Sequence, residues 1–199
     1  MLNLRSRFVV IVLVLLCSGT FMFVDALFKT ARAVTLCSLT AGLIGCSSDT
    51  YKPSGQPTFY KSMAAPDAQV DAKAAASMIS GYRRNNGLGL VSLDPALMRM
   101  AEEQARAMAS KNRFEHDAAG PFAQRIKRGY DAKVAVENIG AGYHTLAEAF
   151  SGWRDSPPHR ANMLRDGVTK MGIAAAYAPN TKYKVFWSLI RAAPDDHRG

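Results

Sequence analysis

From Val70 onward apolar residues return every three or four positions, at Val70, Ala74, Ala75, Met78, Ile79 and Tyr82, until the turn-forming run Asn85 to Gly89 stops the pattern. That spacing predicts a helix with one buried stripe. A second helix is predicted behind Asp94, whose carboxylate suits an N-cap, with Pro95 at the first helical position. Leu97, Ala101, Ala105 and Met108 share one face of it, while Glu102, Glu103 and Arg106 lie off that face. After the loop KNRFEHDAAG, the run PFAQRIKRGY from Pro121 fits a short helix with Phe122 and Ile126 inward, and AKVAVENIG reads as a brief extended piece. Thr145 and Glu148 match a capping box at the head of a further helix, whose buried stripe is Leu146, Ala149, Phe150 and Trp153.

Towards the end the period changes from helical to two. MGIAAAYA and YKVFWSLIRA alternate like strands and are separated by PNTK, a hairpin turn. In the second strand Tyr183, Val185, Trp187 and Leu189 point one way, and Phe186 and Ile190 are apolar on the other, so both faces need cover. The expectation is an α+β domain, a small antiparallel sheet between helical layers. Between the Trp153 helix and the hairpin stands Ser156-Pro157-Pro158, which ends one helix and starts the next, with Ser156 as N-cap and His159 just inside the new helix.

The N-terminal quarter has a different pattern. Two apolar runs, Phe8 to Val24 behind Arg5 and Arg7, and Ala33 to Gly45 behind Lys29 and Arg32, precede Cys46. The second run has the short core and basic flank of a secretory signal, below the ~20 residues of a membrane span. Its ending, Leu43-Ile44-Gly45-Cys46, resembles the bacterial lipoprotein signal, in which the cysteine is lipidated and becomes the mature N-terminus. That likeness implies acyl chains on Cys46 and an exported, membrane-tethered domain. Ser47 after the cysteine points, by the same likeness, to the outer membrane facing the periplasm. Two alternatives stay open: Phe8 to Val24 as a true transmembrane anchor with Cys46 an ordinary thiol, and Met22 as the true start. The expected organisation is a signal or anchor over residues 1–46, a Ser/Thr/Pro/Gly-rich tether over 47–66, a domain over 67–193 and a tail over 194–199.

Charge and cysteine usage narrow the partners. The net charge is +9, but Arg5, Arg7, Lys29 and Arg32 against Asp25 place +3 of it in the first 46 residues. The remaining +6 is spread among acidic residues without a dense basic block, which disfavours nucleic acid and suits a solvated surface near anionic lipid or wall polymer. All three cysteines, Cys17, Cys37 and Cys46, precede the domain, so no disulfide staples it.

Candidate chemistry sits at His116 in RFEHD, at Glu137 and Asn138 in VENIG, and at His159 in WRDSPPHRANML; His144 and His197 read as surface residues. Together with the Leu-Asp-Pro-x-Leu helix and the terminal hairpin, these motifs resemble the CAP superfamily, or SCP domains, over about residues 72 to 191, and most of all its compact bacterial subgroup. The family includes venom allergens, plant pathogenesis-related proteins, cysteine-rich secretory proteins and bacterial secreted proteins. The resemblance implies a three-layer α-β-α sandwich with a central groove where two histidines and two acidic residues meet. His116, Glu137 and His159 match three of these positions. The fourth is absent, because Ser156 stands where long-form relatives carry glutamate, and Glu148 is already explained by the capping box.

Two function classes follow. In the preferred one the protein is a binding or cell-envelope module, with a groove of His116, Glu137, His159, Ser156 and Asn138 holding lipid, peptidoglycan or an envelope protein. There Glu137 orders its loop by accepting backbone N–H bonds, and Asn138 braces the same loop. In the other it is a hydrolase of peptide or peptidoglycan. It would be either metal-assisted, with Zn²⁺ or a similar divalent ion between His116 and His159, or built on Ser156, His159 and Glu137 as nucleophile, base and orienting acid. Oligomeric state is not legible from the chain.

Overall fold

The structure, a computed structural model, describes residues 55–195. The signal or anchor region, Cys46, the first part of the expected tether and the tail residues 196–199, with His197, lie outside the described residues.

A short turn of 3-10 helix, Thr58–Tyr60, leads to α1, Ala72–Arg84. Asp71 caps α1 by accepting from the Ala74 N–H at 2.9 Å, a cap that the apolar spacing does not reveal. A two-residue strand β1, Ser92–Leu93, precedes α2, Pro95–Lys111, and Asp94 accepts from the N–H groups of Ala96 and Leu97. Then follow α3, Phe122–Gly129, β2, Ala132–Ala141, α4, Leu146–Asp155, α5, Pro157–Met163, and the hairpin of β3, Lys170–Ala178, with β4, Lys184–Pro194.

The four strands form one sheet in the order β1-β3-β4-β2. β4 pairs antiparallel with both neighbours, but β1 runs parallel to β3, so the sheet is mixed where an antiparallel one was expected. The parallel contact is short: only Ser92 and Leu93 pair before Asp94 and Pro95 turn the chain into α2. The expected brief extended piece before Gly140 is a ten-residue strand, paired along its length with β4.

Each face of the central strand has its own core. Val185, Trp187 and Leu189 pack with Ile79 of α1, Leu146 and Trp153 of α4 and Met163 of α5, while Phe186, Ile190 and Ala192 lie towards Leu97, Met100 and Met108 of α2. The result is the expected sandwich, with α2 and α3 on one face and α1, α4 and α5 on the other. α2 lies so close to β3 that a Cβ on Gly172 would overlap the Leu97 carbonyl, which makes glycine a packing requirement there. The far end of the expected tether is docked: Met63 is buried among Phe59 and Ala64, and its N–H donates to the His144 carbonyl at 2.6 Å. Its apolar KSMAAP stretch, unlike the polar residues before it, has surface to bury.

Candidate functional site

The site is built on β2, which forms one edge of the sheet. Strand alternation turns the carbonyls of Glu137 and Ile139 away from β4, and side chains of the neighbouring helices meet them. Asn162 Nδ2 of α5 donates to the Glu137 carbonyl at 3.0 Å, and Trp153 Nε1 of α4 donates to the Ile139 carbonyl at 2.8 Å. Side chains on β2 alternate faces as well, Glu137 with its partner Ile190 towards α2 and Asn138 with Leu189 towards α5.

Glu137 is fully buried, and both its oxygens are engaged. Arg125 Nη2 donates to Oε1 at 2.8 Å, and His116 Nδ1 lies 2.9 Å from Oε2. A carboxylate paired with a guanidinium only accepts, so His116 donates Nδ1–H to it. Arg125 also donates to the carbonyls of Gly120 and His116, at 3.0 and 3.1 Å, and lies over the Phe122 ring. This corrects the expected role of Glu137: a buried guanidinium, rather than backbone N–H groups, satisfies it. Sequence reasoning passed over Arg125, yet the signal was present, because a stripe through Phe122 and Ile126 includes position 125.

His159 reaches the site from the other layer. α4 ends at Asp155, Ser156 is extended with φ −88° and ψ 117°, and Pro157 and Pro158 open α5. Ser156 holds the N-cap position, but its hydroxyl makes no cap bond; it shares a hydrogen bond with His159 Nδ1 at 2.8 Å. Pro157 and Pro158 remove the N1 and N2 donors, and at N3 the hydroxyl bonds the imidazole of His159 rather than its backbone N–H. Asn138 is likewise a strand residue rather than a loop brace. Its Nδ2 donates to the His159 carbonyl and its Oδ1 accepts from Asn162 Nδ2, both at 3.0 Å, so β2 and α5 are locked together. Partial burial, followed by the field of His116, holds the His159 pKa below the ordinary imidazole value. The two rings therefore share one electrostatic neighbourhood around the edge of β2, with the carboxylate on the His116 side.

A buried scaffold fixes α5 from behind. Arg83 donates to the carbonyls of Gly89, Met163, Arg165 and Val168 at 2.9 to 3.2 Å, and Arg191 donates to the Met163 carbonyl at 2.5 Å. Cations at the carbonyl-rich end of a helix are favourable. Burial, with the charge of Arg83 second, lowers the Arg191 pKa to about 9. His144 is exposed, and its backbone N–H, with that of Thr145, donates to Glu148 in the expected capping box.

These residues fit a zinc site poorly. Glu137 is committed to Arg125 and His116, so an ion between the histidines would find two imidazole nitrogens, short of the three or four protein ligands zinc uses. Among the described residues no group of three or more His, Cys, Asp or Glu side chains is placed to hold a metal. The imagined triad is split in the same way, with Ser156 paired to His159 and Glu137 paired to His116.

A mixed sheet between helical layers, with His116 paired to a buried glutamate of its edge strand and His159 on the helix fastened to that strand, defines an SCP-type α-β-α sandwich. The model of the cysteine-rich secretory protein family, CAP, matches residues 76–190, and the chain belongs to that family. It is 30% identical over 104 residues to the uncharacterized protein YkwD of Bacillus subtilis, covering 51% of this chain and 40% of that one. Among solved structures, it is similar to an extracellular SCP-domain protein of Bacillus anthracis at 25% identity and TM-score 0.53, covering 61% of this chain and 39% of the other. An outer surface protein of Borrelia burgdorferi shares the fold at 19% identity and TM-score 0.55, covering 64% of this chain and 98% of the other. The chain thus spans less than half the length of the two Bacillus relatives. No helix among the described residues is long and apolar enough to cross a membrane.

Proposed function

We propose that the protein is an exported CAP-domain module, tethered through lipid on Cys46 to the outer membrane, whose groove between His116 and His159 binds a ligand rather than transforming it. The observation that carries this reading is the commitment of Glu137: clamped by Arg125 and His116, its carboxylate is not available to shuttle a proton or to orient His159. Among the described residues no acid stands behind the His159–Ser156 pair. Extracellular and outer-surface placement of the relatives supports export, and the Leu43 to Cys46 signal supports the tether. The ligand class is an envelope component, lipid, peptidoglycan or an envelope protein.

Native mass spectrometry of the chain extracted from membranes tests this reading. The expected spectrum shows a chain starting at Cys46 with added acyl mass, and a bound mass that is lost from a His116→Ala, His159→Ala double variant of unchanged fold. A bare groove in the parent would reject ligand binding, and an unprocessed N-terminus would reject the anchor. One observation favours a second reading, a Ser-His hydrolase. The 2.8 Å Ser156–His159 bond and the lowered His159 pKa leave a neutral base beside a hydroxyl. Labelling of Ser156 by a fluorophosphonate, abolished in His159→Ala, would establish that reading in place of the first.

A further inference from the structure

The opposite edge of the sheet carries a second feature, independent of the histidine groove. β1 covers β3 only at Lys170 and Met171. The Thr169 and Met171 carbonyls accept from β1 and Asp94, so the odd-numbered residues of β3 present their backbone outward, and the next outward group, the Ile173 N–H, meets Met98 Sδ at 3.3 Å. Among the described residues no hydrogen bond reaches the outward N–H and C=O of Ala175 or Tyr177. Beside them runs a trough of about 890 Å³. α2 walls it on one side, through Met98, Arg99, Glu102 and Arg106, and the segment Pro66 to Val70 walls it on the other.

We infer that this stretch of β3, Ile173 to Ala178, is a docking slot in which an extended, carboxylate-bearing peptide segment of a partner protein adds a strand to the sheet. The slot continues the line that β1 leaves when Asp94 and Pro95 turn into α2, and an unpaired strand edge is the template for such addition. At about 3.3 Å per residue it takes a peptide of roughly six residues. Its walls select the occupant. The edge lies between α2 and the Pro66 to Val70 segment, and a second copy's β3 carries the same two walls, so a single strand is the better fit. Arg106 is paired with Glu102 at 2.5 Å, but the exposed Arg99 has no acidic partner among the described residues, which is the complement of a carboxylate on the incoming strand.

Hydrogen exchange on the full chain in detergent, read at the amides of Ala175 and Tyr177, tests the slot with the synthetic peptide acetyl-Glu-Val-Thr-Val-Thr-Val-amide. Saturating peptide is expected to slow exchange there about tenfold or more. The same peptide N-methylated at every amide leaves exchange unchanged, as does the parent peptide on Ala175→Pro, which lacks the outward N–H. Arg99→Glu weakens the peptide's apparent affinity roughly fivefold. Absence of protection, or equal protection by the N-methylated peptide, overturns the inference, and if Ala175→Pro fails to fold the comparison of the two peptides on the parent chain decides. Protection of the Ala175 and Tyr177 amides already present without peptide also overturns it, while Ala174, Ala176 and Ala178 are protected throughout by β4. If it rises with protein concentration a second copy fills the slot, and if it does not the chain's own N-terminal segment does.

Discussion

The two edges of the sheet are finished in opposite ways. At β2 the outward carbonyls of Glu137 and Ile139 are met by Asn162 and Trp153, and Arg125 and His116 close on the buried carboxylate. At β3 the walls stand clear of the strand and the backbone of Ala175 and Tyr177 faces a trough. A covered edge is rigid and holds side chains in fixed directions, which suits a site made of imidazoles. An uncovered edge offers main-chain groups and little side-chain chemistry, which suits recognition of a backbone. One small sheet thereby presents two different kinds of surface, and the residues that finish β2 are the ones whose loss separates them.

The largest effect is expected from Arg125→Ala. It strands the Glu137 carboxylate, 1% exposed, without its guanidinium, at a cost of about 3–5 kcal/mol in urea unfolding. Adding Glu137→Gln recovers most of that loss if the charge is the cause. Next come Asn162→Ala and Trp153→Phe, each leaving an outward β2 carbonyl without its donor, at about 1–3 kcal/mol. Equal tolerance of all these changes would mean that β2 is no better covered than β3. The smallest effect is in the pH dependence. The His159 pKa is lower in the folded state than its ordinary 6.5, so below that value the unfolded chain binds the proton more readily. Stability contributed by neutral His159 is therefore complete above about pH 6.5 and declines as pH falls towards the folded pKa. Urea unfolding of His159→Gln between about pH 5 and 7 is expected to show a shallower acid-side decline than the parent.

Much of this was legible in the chain. Asp94-Pro95 announced α2, Thr145 with Glu148 announced α4, and the alternation around Trp187 announced a strand covered on both faces, because each signal is local. Ser156-Pro157-Pro158 showed where the chain turns towards the groove but not what the Ser156 hydroxyl does, since that depends on which donors the prolines withhold. Arg125 was hidden for a different reason. Its place on the Phe122–Ile126 stripe is a local signal, but its partner, a carboxylate on a strand twelve positions away, is not. The parallel pairing of β1 and the open stretch of β3 are invisible to periodicity, which reports faces of a strand and never its neighbours.

Arg83 gives the molecule a history as well as a shape. Its bond to the Met163 carbonyl joins residues 80 positions apart, and through it the helix that carries His159 is fastened to the first helix of the domain. Closing a loop of that length costs entropy before any contact repays it. A fastening of this range is expected to form late in folding: Arg83→Met then speeds unfolding while leaving the refolding rate nearly unchanged, and a marked slowing of refolding would place the fastening early instead. A late fastening means that the scaffold stands before the site does.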